Sequence, residues 1–128
     1  MFYLTKIENA RMPVPEPEYL DVGSTAGITA GETLAVKSGK LVLEVSAPTH
    51  FAAASFAANT PNVPVYRITK DMVFEVPCST SPSAFVAGAK LALKSDGLEV
   101  AAVSESGPVT IVSVNGAKAV GDTVLVRF

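Results

Sequence analysis

Ala30-Gly31-Glu32-Thr33-Leu34-Ala35-Val36-Lys37-Ser38 returns 57 residues later as Ala87-Gly88-Ala89-Lys90-Leu91-Ala92-Leu93-Lys94-Ser95. Leu41 keeps the same offset to Leu98, so seven of the twelve positions in 30–41 and 87–98 are identical. A shorter echo, Gly121-Asp122-Thr123-Val124-Leu125-Val126, stands near the end of the chain. Each copy reads as a glycine turn followed by a strand whose apolar residues alternate, placing them on one face. The first two copies then turn at Ser38-Gly39 and Ser95-Asp96-Gly97 and are expected to come back as hairpins. Two origins remain open, convergent hairpin chemistry in a Val- and Ala-rich chain or duplication. A solenoid is not expected, because stacked repeats need three or more copies.

Working outward, the chain reads as short strands from residue 30 onward. Val and Ala are the joint commonest residues at 18 each, and β-branched residues suit strands. Strands are expected over Thr33–Lys37, Leu41–Ser46, Phe51–Phe56, Val63–Thr69 and Met72–Val76. Four more are expected over Lys90–Lys94, Leu98–Val103, Val109–Val114 and Thr123–Phe128. Pro61-Asn62, Ser106-Gly107-Pro108 and Asn115-Gly116 punctuate them as turns. The expected fold is therefore all-β, a small β-sandwich or barrel of short antiparallel strands spanning residues 30–128.

Residues 1–29 read differently. Pro13, Pro15 and Pro17 alternate through Met12-Pro13-Val14-Pro15-Glu16-Pro17, each removing a backbone donor and holding its predecessor extended. An extended N-terminal arm is expected over 1–29, either a flexible leader or a segment that orders on a partner. Tyr3, Met12, Pro13, Val14, Pro15, Pro17, Tyr19 and Leu20 are its candidate docking residues. Deleting residues 1–22 is then expected to leave the β domain folded.

Composition excludes several functions. Ten basic and twelve acidic residues give a net charge of −2, with no basic cluster of the kind a nucleic-acid binder presents. Mean hydropathy is +0.37, high for a chain whose longest uncharged run, 45–66, contains three prolines and cannot serve as a membrane span. Lys6, Glu8 and Arg11 interrupt any leader-like apolar run, so no signal peptide is expected. The excess of apolar residues points to surface that a partner covers.

Chemistry is hard to place. His50 is the single histidine and Cys78 the single cysteine. HExxH, GxSxG and GxxxxGK[ST] are absent. His50 reads as structural, Cys78 as a small packing residue, and Asp71 and Glu75 as turn and solvent-side positions. No catalytic residue, cofactor or metal is expected, and the chain is not expected to be an enzyme. A lipoyl- or biotinyl-like carrier, or an accessory binding domain of an enzyme complex, is the alternative. Its lysine would be Lys37 or Lys40 at the Ser38-Gly39 tip, although neither stands in the Met-Lys-Met or Asp-Lys-Ala/Val setting of such domains.

The run Val63-Pro64-Val65-Tyr66-Arg67-Ile68-Thr69-Lys70-Asp71-Met72-Val73-Phe74-Glu75-Val76-Pro77 resembles small head proteins of tailed phages and prophages. The resemblance extends through Gly88-Ala89-Lys90-Leu91, Ser95-Asp96-Gly97-Leu98 and the stretch from Gly116 to Phe128. It covers roughly 30–128 and rests mainly on turn and strand patterns. It implies a capsid decoration or cement protein, β-rich and homo-oligomeric with a trimer favoured. Such a protein would bind the major capsid protein on the virion exterior after assembly in the host cytoplasm. Tail and head–tail joining roles share the same class.

Overall fold

The computed structural model describes residues 1–8, 15–23 and 25–128. The repeated glycine turn is its local building unit. Thr29–Glu32, Val86–Ala89 and Ala119–Asp122 each close with a hydrogen bond from the fourth residue's N–H to the first residue's carbonyl, at 3.0, 3.1 and 3.1 Å. Their third residues, Gly31, Gly88 and Gly121, have φ of 80°, 90° and 93°, the sign a type II turn requires there. In each copy that glycine's N–H donates to a neighbouring strand, at Ala52, Ile111 and Cys78 respectively, and the same residue's N–H bonds back to the carbonyl after the glycine. The sequence echo is thus one hydrogen-bonded device used three times.

Strands grow from these turns. They are β1 (Tyr3–Ile7), β2 (Glu18–Val22), β3 (Thr33–Lys37), β4 (Lys40–Leu43), β5 (His50–Ala52) and β6 (Val63–Arg67). They continue as β7 (Met72–Pro77), β8 (Lys90–Leu93), β9 (Val100–Val103), β10 (Val109–Ser113) and β11 (Thr123–Arg127), with one 3-10 turn at Pro82–Ala84. The β3–β4 hairpin turns at Ser38-Gly39, both at positive φ, which matches strand twist in a two-residue loop.

The expected all-β class is observed, with two sheets. One is a closed barrel ordered β2-β4-β3-β5-β6, and the other is six-stranded, ordered β1-β7-β11-β10-β8-β9. The connectivity repeats. In the barrel, β3 pairs with β4 and β5, β5 with β6, β6 with β2, and β2 runs parallel to β4. In the six-stranded sheet, β8 pairs with β9 and β10, β10 with β11, and β11 with β7. A parallel bridge, Cys78↔Val100, then brings the end of β7 back to β9. Even the closing bonds correspond, Gly23 N–H to Leu41 O at 2.9 Å and Ser79 N–H to Val100 O at 2.8 Å. Two five-strand units of one topology therefore follow each other in the chain, and β1 is an addition to the second.

Their interiors hold the apolar residues. Val22, Leu34, Leu41, Val63 and Val65 fill the first unit. Phe74, Val76, Leu91, Val100, Val109, Ile111, Val124 and Val126 fill the second. Phe51, carried by β5 of the first unit, joins the second unit's core and meets Phe74 edge-on with centroids 5.0 Å apart. Phe2 enters the same cluster beside Phe74 and Phe128.

Several expectations change. The described residues of 1–29 are not set apart from the β domain: β1 pairs with β7, and β2 closes the barrel. The extended conformation expected of this stretch is present in both strands, but their backbones are paired within the fold. Val22 is fully buried, because a barrel left open at β2 would expose its core. Met12, Pro13 and Val14 lie outside the described residues. The expected strand Phe51–Phe56 is shorter, ending at Ala52, with Phe56 making an isolated bridge to Ile28. Not every pairing is antiparallel, since β2–β4 and Cys78↔Val100 run parallel.

Candidate functional site

The described docking candidates divide between two clefts and open surface. Tyr3, on β1, is 64% exposed and flanks a cleft of about 340 Å³ between β1 and the first barrel. Pro15 lies on the same cleft, with Phe2, Phe51 and Tyr66 supplying apolar walls. Tyr19 is also 64% exposed, on the outer side of β2, and Pro17 is exposed beside it. Leu20 instead packs against the first barrel's core and borders a second cleft of about 400 Å³. β-strand alternation explains the split between Tyr19 and Leu20, which belong to opposite faces of one strand.

The second cleft contains the polar cluster that the sequence alone did not reveal. His50 is 2% exposed, yet both ring nitrogens have partners. Nδ1 is 2.8 Å from Thr49 Oγ1, and Nε2 is 2.9 Å from Glu18 Oε2. With Nε2 protonated, the imidazole donates to Glu18 and accepts from the Thr49 hydroxyl, so a neutral ring is satisfied at both ends. Arg67 Nε donates to Glu18 Oε1 at 2.7 Å. The Arg67 hydrogen bond, then the one from His50, holds the Glu18 carboxyl below its ordinary value. Glu18 and His50 are 32 residues apart, and Glu18 and Arg67 are 49 apart. No local spacing marks such a group, so a lone histidine was all the sequence offered.

The register shows what this cluster does structurally. By their pairing positions, Glu18, His50 and Arg67 occupy the places that Phe74, Val109 and Phe128 occupy in the second unit. The second unit's end is stopped by aromatic rings, and the first unit's end by an ion-paired plug. The hydroxyl–imidazole–carboxylate order resembles a nucleophile relay, but the imidazole is buried and Arg67 also engages Glu18. The contacts describe a clamp of β2 onto β5 and β6.

The other sequence candidates fall as follows. Cys78 is buried, and burial pushes its thiol up, away from the reactive thiolate. Glu75 accepts a hydrogen bond from Thr123 Oγ1 at 2.7 Å, tying β7 to β11. Lys37 and Lys40 flank the β3–β4 tip, and Lys37 Nζ pairs with Glu44 at 3.1 Å. Among the described residues, no group of three His, Cys, Asp or Glu is arranged to hold a metal ion. Compared with protein-family models, curated proteins and solved structures, the chain matches none of them.

Proposed function

We propose that this chain is a non-enzymatic structural protein of a virion, a capsid decoration or cement protein that works by making interfaces. The observation that carries the reading is the surface around β1 and β2. Tyr3 and Tyr19 stand largely exposed on rigid strands, and Tyr3 borders an apolar cleft walled by Phe51 and Tyr66. Tyrosines held on a paired backbone bring large contact area at low entropy cost, which suits a docking face. The phage-head resemblance supplies the partner, the major capsid protein, and the homo-oligomer, with a trimer favoured. Many such sites around a shell would add avidity.

The test is binding of purified protein to expanded phage heads. Tyr3→Ala combined with Tyr19→Ala is expected to weaken binding at least tenfold while leaving the thermal melt unchanged, since both rings lie outside the cores. Unchanged binding would remove these two tyrosines from the mechanism. The carrier reading retains one favourable observation, the placement of Lys37 and Lys40 at a hairpin tip. Intact mass spectrometry of protein from its native source separates the two, because a carrier shows a covalent mass increase at one of these lysines.

A further inference from the structure

The two units share a topology but not a stopper, and only one stopper changes charge with pH. In the first barrel, Glu18 from β2 meets His50 from β5 at 2.9 Å and Arg67 from β6 at 2.7 Å. The places equivalent by register in the second unit hold Phe74, Val109 and Phe128, none of them titratable. Among the described residues, Glu18 is the one carboxylate paired with His50 or Arg67. β3 lines the same cleft with Ala35 and Val36, and its Lys37 turns to Glu44 at 3.1 Å. On β4, Lys40 stands opposite Asp21, whose carboxylate accepts from the Asn62 N–H at 3.0 Å.

A charged Glu18 satisfies its partners in either protonation state of the imidazole, because the Thr49 hydroxyl donates to Nδ1 or accepts from it. A neutral Glu18 leaves a protonated imidazole, at 2% exposure, and the Arg67 guanidinium with no anion between them. Removing one partner of a buried ion pair is strongly destabilising. β2 is the strand that yields. Phe51 fastens β5 into the second unit's core, and β3 is fastened by Thr33 N–H to Gly97 O at 3.1 Å. The pairings of β2 lie within the first unit, with β4 and β6.

We propose that the Glu18–His50–Arg67 plug is an acid-sensitive latch, which lets β2 leave β4 and β6 while the ring-stopped second unit stays closed. Opening exposes Val22, Leu41 and Val63, which the closed barrel buries. Arg67, then His50, lowers the Glu18 carboxyl, so the latch holds above the unfolded value and releases as pH falls through the folded one. The test is hydrogen exchange of the full-length chain from about pH 6 to pH 3, read on peptides and corrected for the intrinsic rate at each pH. Protection in β2, β4 and β6 is expected to fall about tenfold or more, with β7, β10 and β11 changing less than about twofold. Glu18→Gln, which fixes a neutral side chain, is expected to show reduced β2 protection already at pH 6 and little further loss in acid. Equal loss in both units, earlier loss in the second, or no loss down to pH 3 would overturn the proposal, and the parent chain alone decides among these. A Glu18→Gln profile that tracks the parent would also overturn it, by moving the acid response to Asp21 or Glu44.

Discussion

Gly121 has φ of 93°, and the space where a Cβ would point is open. Gly121→Ala therefore isolates backbone strain, with an expected cost of about 1–2 kcal/mol in denaturant unfolding. Gly31 has the same sign of φ, but a Cβ there would lie 2.5 Å from Met1 Cβ. Gly31→Ala should cost more, and the excess measures how firmly the N-terminus is seated. Glu32, beside that glycine, is buried, and burial raises its carboxyl above the ordinary value against the opposing pull of the Thr29 N–H. A carboxyl raised in the fold favours the folded state while protonated, and that benefit is lost as pH rises through the folded value. Glu32→Gln keeps an acceptor for Thr29, so it should raise the melting temperature near neutral pH and change little in acid.

β2 is the element on which the first barrel depends. It supplies Val22 to the core, runs parallel to β4 and holds β5 and β6 through Glu18. Because the Glu18 carboxyl is lowered in the fold, its contribution is present above the unfolded value and fades as pH falls through the folded one. Thermal melts between about pH 6 and pH 3 should show a smaller acid loss for Glu18→Gln than for the parent chain. An equal loss in both would place the acid sensitivity elsewhere. The same element shows the limit of proline as a signal. Pro15 and Pro17 argue correctly against a central strand along their own backbone, but they stand just before a strand that enters the barrel one residue later. The prolines mark β2's blunted outer edge, not a detached segment.

At the scale of the molecule, the two units share no sheet and are joined by aromatic contacts and by backbone hydrogen bonds from Phe2 N–H to Gly31 O and from Thr33 N–H to Gly97 O. Phe51 leaves its own barrel to enter the neighbour's core, edge-on to Phe74, with Tyr66 of its own barrel beside it. Phe51→Ala should cost about 3–5 kcal/mol. It should also separate unfolding into two denaturant transitions, where a single one in the parent chain would report a coupled pair. Deletion of residues 1–22, which an independent arm would tolerate, removes both β1 and β2. It should therefore melt the first barrel, with loss of strand signal in circular dichroism and exposure of Val63 and Val65. Retention of a cooperative melt at the parent temperature would show that β2 is dispensable after all.

The nine strands expected from residue 30 onward all form, some trimmed at their ends, because alternating apolar residues between Gly, Asn and Ser turns are local signals that burial reinforces. The Ala30–Ser38 and Ala87–Ser95 echo was also readable, since one turn geometry requires the same glycine each time. What sequence could not supply was the extent of the repeat. β2 corresponds to β7 and β6 to β11 only through hydrogen-bond register, while Glu18 and Phe74, or Arg67 and Phe128, share no chemistry. Nor could it supply the partners of His50, which lie on strands distant in the chain. Local backbone preference is written in neighbouring residues and was legible there. Which strand completes which unit, and whether an end is stopped by rings or by an ion pair, follows from long-range pairing that only the folded chain decides.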